Sequence, residues 1–295
     1  MADKNVYAII LVGGKGKRLR PLSTDARPKA FLSITKDRKT MFAKTVERIS
    51  RLIPPANIIA VANKRHAALV NKEFPKISGD NLLLEPAAKN TAPAIMLAVS
   101  TLARRVKDAI LVILPTDQYI AGEDEYLVCV KRGIDFVKSN KNAIIALAVK
   151  PRYPSTGFGY IRFGSREPGV GGIYKVEEFT EKPDLKRANS YVKSGRYLWN
   201  TGAFIFRLSA IIKAMKAFAP RIYRELEDVD NVRRAYHKLP DISIDFAVME
   251  KAKNIYCVEG AYGWRDMGNF ESLRAILISE SRDFVSKGKK IIKIL

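Results

Sequence analysis

The chain has 295 residues, 47% of them apolar, and its 52 lysines and arginines exceed its 30 aspartates and glutamates to give a formal net charge of +22. The apolar fraction excludes a disordered chain and is sufficient for one large domain or two modest ones, and no window reaches the roughly 18 uninterrupted apolar residues of a membrane span. The basic excess predicts attraction to polyanions, phosphorylated small molecules or anionic membrane surfaces, without choosing among them.

The first half of the chain alternates apolar strand patterns with helical patterns. Strands rich in Ile, Val and Leu are predicted at 6–12, 58–62, 82–85, 109–114 and 143–149. Helices are predicted at 40–53 with Thr40 as its cap, at 93–106 with Thr91 as its cap, and at 123–139. Continuous apolar strands joined by helical crossovers are typical of an open, doubly wound, mostly parallel α/β sheet. Ligands bind beyond the carboxyl ends of such strands, which directs attention to residues 13–18, 85–91 and 115–118.

After Pro151 the pattern changes. Two strands at 157–163 and 173–179, joined by a glycine-rich loop at 167–172, are followed by a helix at 185–194, a short strand at 203–206 and further helices. This order predicts a smaller α+β lobe over about 151–260, laid against a first part over about 1–150, with a cleft between them. The two cysteines, Cys129 and Cys257, are predicted to be packing residues, and the chain shows no metal-ligand spacing. A cytoplasmic protein is expected.

The loop after the first strand reads Gly13-Gly14-Lys15-Gly16-Lys17-Arg18. It lacks the Gly-Lys-Ser/Thr ending of a P-loop, and a leucine replaces the third glycine of a dinucleotide-binding fingerprint. Glycines permit close approach of the backbone, and their N–H groups can cradle phosphate oxygens. Together with Arg18 and with Lys29 of the Arg-Pro-Lys segment that follows, they favour triphosphate binding. An ordinary tight turn is the alternative for the glycines alone.

A series of ordered motifs over residues 6–270 resembles the sugar-1-phosphate nucleotidyltransferases. The motifs are Gly-Gly-x-Gly-x-Arg-Leu-x-Pro-Leu from Gly13, Arg-Pro-Lys from Arg27, Glu-Pro-Ala-Ala-Lys-Asn-Thr-Ala-Pro from Glu85, Pro-Thr-Asp from Pro115, Gly-Phe-Gly-Tyr-Ile from Gly157, Phe-Thr-Glu-Lys-Pro from Phe179, Trp-Asn-Thr-Gly from Trp199, Ser-Ile-Asp-Phe-Ala-Val-Met-Glu from Ser243 and Gly-Trp-Arg-Asp-Met-Gly from Gly263. The segments at Glu85 and Ser243 are most similar to mannose-1-phosphate guanylyltransferases. The resemblance implies that GTP and mannose 1-phosphate give GDP-mannose and pyrophosphate, with Mg²⁺.

The implied domain is a nucleotidyltransferase domain over 1–280, with a nucleotide half at about 1–150 and a sugar-phosphate lobe at about 151–260. A sugar phosphate oxygen attacks the nucleotide α-phosphorus, so alignment and positive charge matter more than a proton-transferring side chain. Arg18 and Lys29 suit the β,γ-phosphates, and Lys182 suits the sugar phosphate or the α-phosphate. The resemblance implies that Asp117 and Asp266 hold the metal, in keeping with the oxygen ligands that Mg²⁺ prefers. For Asp117 alone, helix capping is the alternative.

Base and sugar recognition are also implied by the resemblance. The nucleotide is expected at Leu11, Gly13, Gly14, Glu85, Asn90 and Thr91, and the sugar at Gly159, Glu181, Asn200 and Gly202. A Glu carboxylate could accept the guanine N–H groups, whereas Asn90 and Thr91 could equally cap the following helix. The role of Asp245 stays open: it could belong to the site or act as a structural cap. Trp199 and Trp264 are predicted to be core aromatics.

Four positions depart from the family pattern, at Ala30, Gln118, Arg265 and Phe270, and bear on sugar choice or metal geometry. The basic tail at 281–295 is interpreted as the start of a truncated dimerising element, and a solvated end is the alternative. A homodimer is therefore one of the expected states. Two other functions stay in view: the same reaction with another nucleotide or sugar, such as uridylyl or thymidylyl transfer to glucose 1-phosphate, and a non-catalytic nucleotide-sugar-sensing subunit. No membrane partner is expected. A nucleic-acid partner rests on charge alone and is not favoured.

Overall fold

The computed structural model describes residues 5–14, 16–77, 79–169, 171–228 and 232–281, and the backbone of 284–287 and 290–293. Lys15 of the glycine-rich loop lies outside the described residues. The strands are β1 (Val6–Val12), β2 (Ile58–Asn63), β3 (Leu82–Glu85), β4 (Ile110–Pro115), β5 (Gln118–Ile120), β6 (Ile144–Val149), β7 (Tyr160–Arg166), β8 (Ile173–Thr180), β9 (Tyr197–Arg207), β10 (Ile255–Gly260), β11 (Trp264–Asp266), β12 (Phe284–Lys287) and β13 (Lys290–Lys293). The helices are α1 (Met41–Ser50), α2 (Ala67–Glu73), α3 (Thr91–Ala103), α4 (Glu123–Ser139), α5 (Leu185–Ser194), α6 (Leu208–Phe218), α7 (Pro220–Leu226), α8 (Val232–Lys238) and α9 (Phe270–Ser279).

One large sheet organises the chain, in the order β3-β2-β1-β4-β9-β6-β10-β8-β7. The first four strands pair in parallel, and β6 and β10 also run parallel to each other. Apolar side chains of α1 and α4 pack on one face of the sheet, and those of α3 and α6 pack on the other. Strands covered on both faces are buried along their length, which is why β2 and β6 are continuous apolar runs. The predicted α/β class, with helices on both faces of a sheet, is confirmed.

The second half of the chain contributes strands to the same sheet. Strand β9 enters antiparallel between β4 and β6, and its first residues also pair with β7. The prediction of a short strand at 203–206 was wrong in length, because β9 is an 11-residue strand. The strand predicted at 157–163 begins instead at Tyr160, since residues 157–159 line a cleft. Cys257 lies on β10 and Cys129 on α4, and both are buried and free.

Helix α3 differs from its prediction at both ends. It spans Thr91–Ala103 rather than 93–106, and Asn90 rather than Thr91 is its N-cap. The Asn90 Oδ1 atom accepts a hydrogen bond from the Thr91 amide at 2.9 Å, while the Thr91 hydroxyl accepts one from the Ile244 amide at 2.8 Å. Thr91 therefore ties the start of α3 to a distant segment. The cap predicted for α1 is confirmed, because Thr40 Oγ1 accepts from the Ala43 amide at 3.1 Å.

The end of the chain forms an antiparallel pair of strands, β12 and β13. The side chains of this pair lie outside the described residues, so the dimerising role of the tail at 281–295 remains a prediction, as does the division into two halves. Within the described ranges, none of the helices combines the length and the apolar character needed to cross a lipid bilayer.

Candidate active site

A cleft of about 260 Å³ opens beyond the carboxyl ends of β1 and β4. Its walls contain all three predicted cationic residues, both predicted metal ligands and all four predicted sugar residues. These are Arg18, Lys29, Lys182, Asp117, Asp266, Gly159, Glu181, Asn200 and Gly202. Asp245, whose role the sequence left open, lies in the same wall. The predicted nucleotide residues are not among its lining.

Lys29 lies between the two aspartates at the base of the cleft. Its Nζ atom is 2.5 Å from Asp117 Oδ2 and 3.9 Å from Asp266 Oδ1, and it donates to the Met267 carbonyl at 3.3 Å. Asp117 follows β4, and Asp266 ends β11, which pairs antiparallel with β5 so that Asp266 is opposite Gln118. A two-stranded ribbon therefore brings together carboxylates that are far apart in the chain.

Burial and charge act in opposite directions on these groups. Burial alone would lower the pKa of Lys29, but the charges of Asp117 and Asp266 outweigh it and the pKa is raised. Burial raises the pKa of Asp266 to about 6; the charge of Lys29 opposes this rise and that of Asp117 adds to it. The site is thus a compact cluster in which two acidic groups compete for one buried cation.

The donor set fits a hard divalent cation. The side chains of Asp117 and Asp266 are 25% and 27% exposed, so both carboxylates remain accessible from the cleft. Mg²⁺ is usually held by one or two carboxylates, with its other positions left to water and substrate phosphates. A group of three or more His, Cys, Asp or Glu side chains suited to a metal ion is not found among the described residues.

Carboxylates and amides form the opposite wall of the cleft. Asn200 Nδ2 donates to Asp245 Oδ1 at 2.9 Å, and Asn200 Oδ1 accepts from the Gly202 amide at 2.9 Å. A Cβ atom at Gly159 would lie 2.6 Å from Glu181 Oε2, so a glycine is needed for this close approach. Burial, with a further contribution from the charge of Glu181, raises the pKa of Asp245 to about 7. The wall offers several hydrogen-bonding groups to a hydroxylated ligand.

Lys182 projects from an unusual backbone conformation. Its φ is 48°, in the left-handed region that non-glycine residues rarely adopt, and its Nζ atom pairs with Glu181 Oε1. Proline at position 183 disfavours the ordinary helical conformation for the residue before it. The Lys182 side chain is 55% exposed, so its charge is available to a ligand in the cleft.

One of the predicted nucleotide residues, Gly14, borders a neighbouring cavity rather than the cleft. Gly14, with a φ of 92°, lines a neighbouring cavity of about 420 Å³ together with Pro86 and Ala88. The Leu11 carbonyl accepts a hydrogen bond from Thr116 Oγ1 at 3.0 Å, and Gly13 is exposed just after β1. The cavity that Gly14 borders contains none of the predicted sugar residues.

Glu85 is held by a residue that the sequence gave no reason to select. Its Oε1 atom accepts a hydrogen bond from the Tyr236 hydroxyl at 2.7 Å, and both side chains are buried. Burial raises the pKa of Glu85 to about 7, although the hydrogen bond from Tyr236 opposes the rise. The motif at Glu85 carried no signal for this partner, because Tyr236 lies on α8 of the second half of the chain.

Comparison with known proteins identifies the family of the chain. Residues 7–280 match the family described as Nucleotidyl transferase. The chain belongs to this family. A structure from Thermus thermophilus described as mannose-1-phosphate geranyltransferase is 33% identical, with a TM-score of 0.85, and the match covers 92% of this chain and 79% of that one.

Longer curated relatives match this chain along nearly its whole length. A mannose-1-phosphate guanylyltransferase of Salmonella montevideo is 36% identical over 96% of this chain, and one of Salmonella typhimurium is 34% identical over 95%. The matches cover 62% and 60% of those relatives, so the chain spans about three fifths of their length.

Three of the four positions that depart from the family pattern, Ala30, Gln118 and Phe270, have structural contacts in this chain. Ala30 is fully buried beside Lys29, and Phe270 packs against the cluster that includes Met267. Gln118 Nε2 donates to the Thr201 carbonyl, next to Asn200 of the sugar wall. The substitution at 118 thus links the carboxylate ribbon to that wall.

Proposed function

We propose that this chain transfers the guanylyl group of GTP to mannose 1-phosphate and releases pyrophosphate by an in-line displacement. The observation that carries the proposal is the position of Lys29 between Asp117 and Asp266, in a cleft that also holds Arg18 and Lys182. The names of the curated relatives support the choice of guanine and mannose. Those relatives are longer than this chain. We propose that the part of them that this chain matches carries out the reaction.

The cationic side chains would offset the repulsion between the two phosphorylated substrates, which is the main obstacle to the reaction. An oxygen of mannose 1-phosphate forms a bond to the α-phosphorus, and the bond between that phosphorus and the α,β-bridging oxygen breaks. Arg18 and Lys29 would stabilise the charge that accumulates on the departing pyrophosphate, and Lys182 the charge of the incoming phosphate. Positioning and charge suffice, so the chain need supply no nucleophile of its own.

Asp117 and Asp266 are the residues that would hold Mg²⁺, which when bound offsets the charge of the phosphate oxygens. In the structure, Lys29 forms ion pairs with both carboxylates. An ion on the aspartates would leave the ammonium group of Lys29 available to the nucleotide.

Recognition of the two substrates is assigned to opposite sides of the glycine-rich loop. Glu181, Asn200 and Asp245 would accept or donate hydrogen bonds to the sugar hydroxyls. On the other side, an ionised Glu85 would accept from the guanine N1–H and 2-amino groups, since a carboxylate offers only acceptors. Asn90 and Thr91 already bond to the main chain, so they are assigned to positioning the start of α3.

We also assign the enzyme to the cytoplasm. Its two cysteines, Cys129 and Cys257, are both free, which suits a compartment where thiols stay reduced.

A substrate matrix tests the proposal. The purified chain is incubated with GTP, ATP, UTP or dTTP, each with mannose 1-phosphate or glucose 1-phosphate and Mg²⁺, and pyrophosphate release is measured. The fastest release is expected with GTP and mannose 1-phosphate. Equal or faster release with UTP or dTTP would overturn the guanine assignment. If no pair of substrates releases pyrophosphate but the chain binds GDP-mannose in calorimetry, the proposed enzyme activity is wrong. The chain would then be a nucleotide-sugar-sensing subunit.

A further inference from the structure

Helix α9 packs beneath the segments that carry the charged residues of the cleft. The side chains of its buried face belong to an apolar cluster that is separate from the two on the faces of the large sheet; these are Leu273, Ile276 and Leu277. Other members of the cluster follow Arg18, Lys29, Asp117 or Asp266 by no more than five residues, namely Leu19, Leu22, Leu32, Ile34, Tyr119 and Met267. One helix therefore contacts every segment that supplies these charges.

Glu280, the C-cap of α9, forms hydrogen bonds to two of those segments. The Tyr119 hydroxyl donates to Glu280 Oε1 at 2.6 Å, and the Lys36 amide donates to Glu280 Oε2 at 3.0 Å. A short bond from a hydroxyl to a carboxylate is of the stronger, charge-assisted kind. The helix dipole disfavours a negative charge at a C-terminus, so these two bonds compensate for the placement of the carboxylate. Glu280 thus connects strand β5 to the segment that follows Lys29.

Tyr119 and Gln118 place the two sides of the ribbon formed by β5 and β11. Because neighbouring residues of a strand point to opposite sides, Gln118 lines the cleft while Tyr119 lies in the cluster below it. In the ribbon Tyr119 is opposite Arg265, the residue before Asp266. The bond from Tyr119 to Glu280 therefore holds the ribbon from the side away from the cleft, close to both aspartates.

The ribbon is too short to fix its own position. Strands β5 and β11 have three residues each, and an isolated pair of strands is marginally stable even when longer. Its place relative to Lys29 depends on the element packed against it. Helix α9 is packed against both the ribbon and the segment after Lys29, and Glu280 bonds to both.

We propose that Glu280 is a positioning residue, whose hydrogen bonds to Tyr119 and to the Lys36 amide keep Asp117 and Asp266 in the arrangement that holds a divalent cation. The inference rests on the proposed function, since it takes the two aspartates as the Mg²⁺ ligands. Glu280 is not part of the cleft lining, so it acts through the ribbon rather than by touching a substrate.

The affinity for GTP, measured with and without Mg²⁺, tests this role independently of turnover. GTP is titrated into the full chain in a calorimeter, once with Mg²⁺ and once with EDTA, and the ratio of the two affinities is the gain that the metal provides. A general loss of stability should weaken both affinities alike, whereas displaced aspartates weaken only the first. Glu280→Ala is expected to reduce the gain about tenfold and to leave the affinity in EDTA within about twofold of the parent.

Two further variants show whether Glu280 acts through Tyr119. Tyr119→Phe removes the hydroxyl, keeps the ring in the cluster and should also reduce the gain. The double variant should lose no more than Glu280→Ala alone, because both changes break the same hydrogen bond. Glu227→Ala is the matched control, since Glu227 is an exposed C-cap of α7, and it should keep the full gain.

Hydrogen exchange observes the ribbon itself in the absence of ligands. The Met267 amide bonds to the Asp117 carbonyl, so it should exchange faster in Glu280→Ala than in the parent and in Glu227→Ala. If Glu280→Ala does not fold, the gain and the exchange rate of Tyr119→Phe decide the question.

An unchanged gain in the variants would overturn the proposal, even if the Met267 amide exchanged faster, because Glu280 would then serve stability alone. Losses that multiply in the double variant would overturn it as well. A parent chain that gains no affinity for GTP from Mg²⁺ would refute the metal assignment and the positioning role together. A parent that shows the gain but releases no pyrophosphate would refute the proposed reaction only, and the variants would still decide the role of Glu280.

Discussion

The main-chain carbonyl of Asp117 accepts a hydrogen bond from the amide of Met267 at 3.0 Å. This bond continues the pairing of β5 with β11, so the positions of the two aspartates of the cleft are set by backbone hydrogen bonds rather than by side-chain contacts alone. A shift of one strand against the other would move both carboxylates relative to Lys29. The separation of the carboxylates is thus a property of the ribbon, and small side-chain changes at its acidic positions should leave the fold intact.

Asp117→Asn and Asp266→Asn are each expected to lower pyrophosphate release roughly 100-fold or more, because each removes a charged oxygen from the proposed metal site. The amide has nearly the same shape, so circular dichroism should show an unchanged fold. Asp135→Asn is the matched control, since Asp135 is exposed and its ion pairs within the described part of the chain are with lysines on α4. An active double variant would contradict the metal role of both residues.

Elements with a strong local pattern could be predicted from the sequence. The bounds of β1, β3, α4 and α5 agree with the predicted ranges, because apolar repeats and caps act over a few residues. Strand β9 was predicted as a short strand, since part of its length pairs with β7, a contact between distant segments. The ribbon strands β5 and β11 have three residues each, too few for a periodic signal.

Site residues that belong to sequence motifs could be predicted. Residues that join the site through contacts between distant parts of the chain could not. Arg18, Lys29 and Asp117 were selected from ordered motifs, and the cleft brings them together. Tyr236 could not be selected, because its contact with Glu85 depends on how α8 packs in three dimensions. Asp245 was named from a motif but its role stayed open, because its contact with Asn200 crosses from a helical turn to a strand.

Asp245→Asn should change how stability depends on pH. The folded-state pKa of Asp245 is about 7, against an ordinary value of 3.8, because the carboxyl is buried near Glu181. Between these values the folded state binds more protons than the unfolded state, so this group's contribution to the free energy of unfolding falls as pH rises. The variant is neutral at every pH and should be more stable than the parent at pH 8, by about 1–3 kcal/mol.

Urea unfolding at pH 5 and pH 8 measures this difference, with the exposed Asp241→Asn as control. The advantage of Asp245→Asn should shrink at pH 5, where the parent side chain is itself protonated. A variant less stable than the parent at both pH values would show that the ionised carboxyl is favoured in the folded state, contrary to the raised pKa.

Tyr236→Phe should move the activity profile toward higher pH. The Tyr236 hydroxyl favours the ionised form of Glu85, whose pKa is about 7, so its removal should raise that pKa further. If ionised Glu85 accepts from guanine, the KM for GTP at pH 7 should rise roughly three- to tenfold. The KM for mannose 1-phosphate should not change. Tyr223→Phe on α7 is the control, and a pH profile identical to that of the parent would remove Glu85 from base recognition.

Asn90→Gly tests whether the strained backbone conformation at the start of α3 contributes to nucleotide binding. Asn90 has a φ of 68° and a ψ of −171°, a region almost restricted to glycine, and holding another residue there costs about 1–3 kcal/mol. Glycine loses only a few tenths of a kcal/mol as an N-cap, so Asn90→Gly should raise the free energy of unfolding by about 1 kcal/mol. Asn269→Gly is the control, because that N-cap of α9 has a φ of −151° and no strain to relieve.

If the strain at Asn90 contributes to nucleotide binding, the stabilised Asn90→Gly variant should also show a higher KM for GTP. Stabilisation with an unchanged KM would make Asn90 a cap alone.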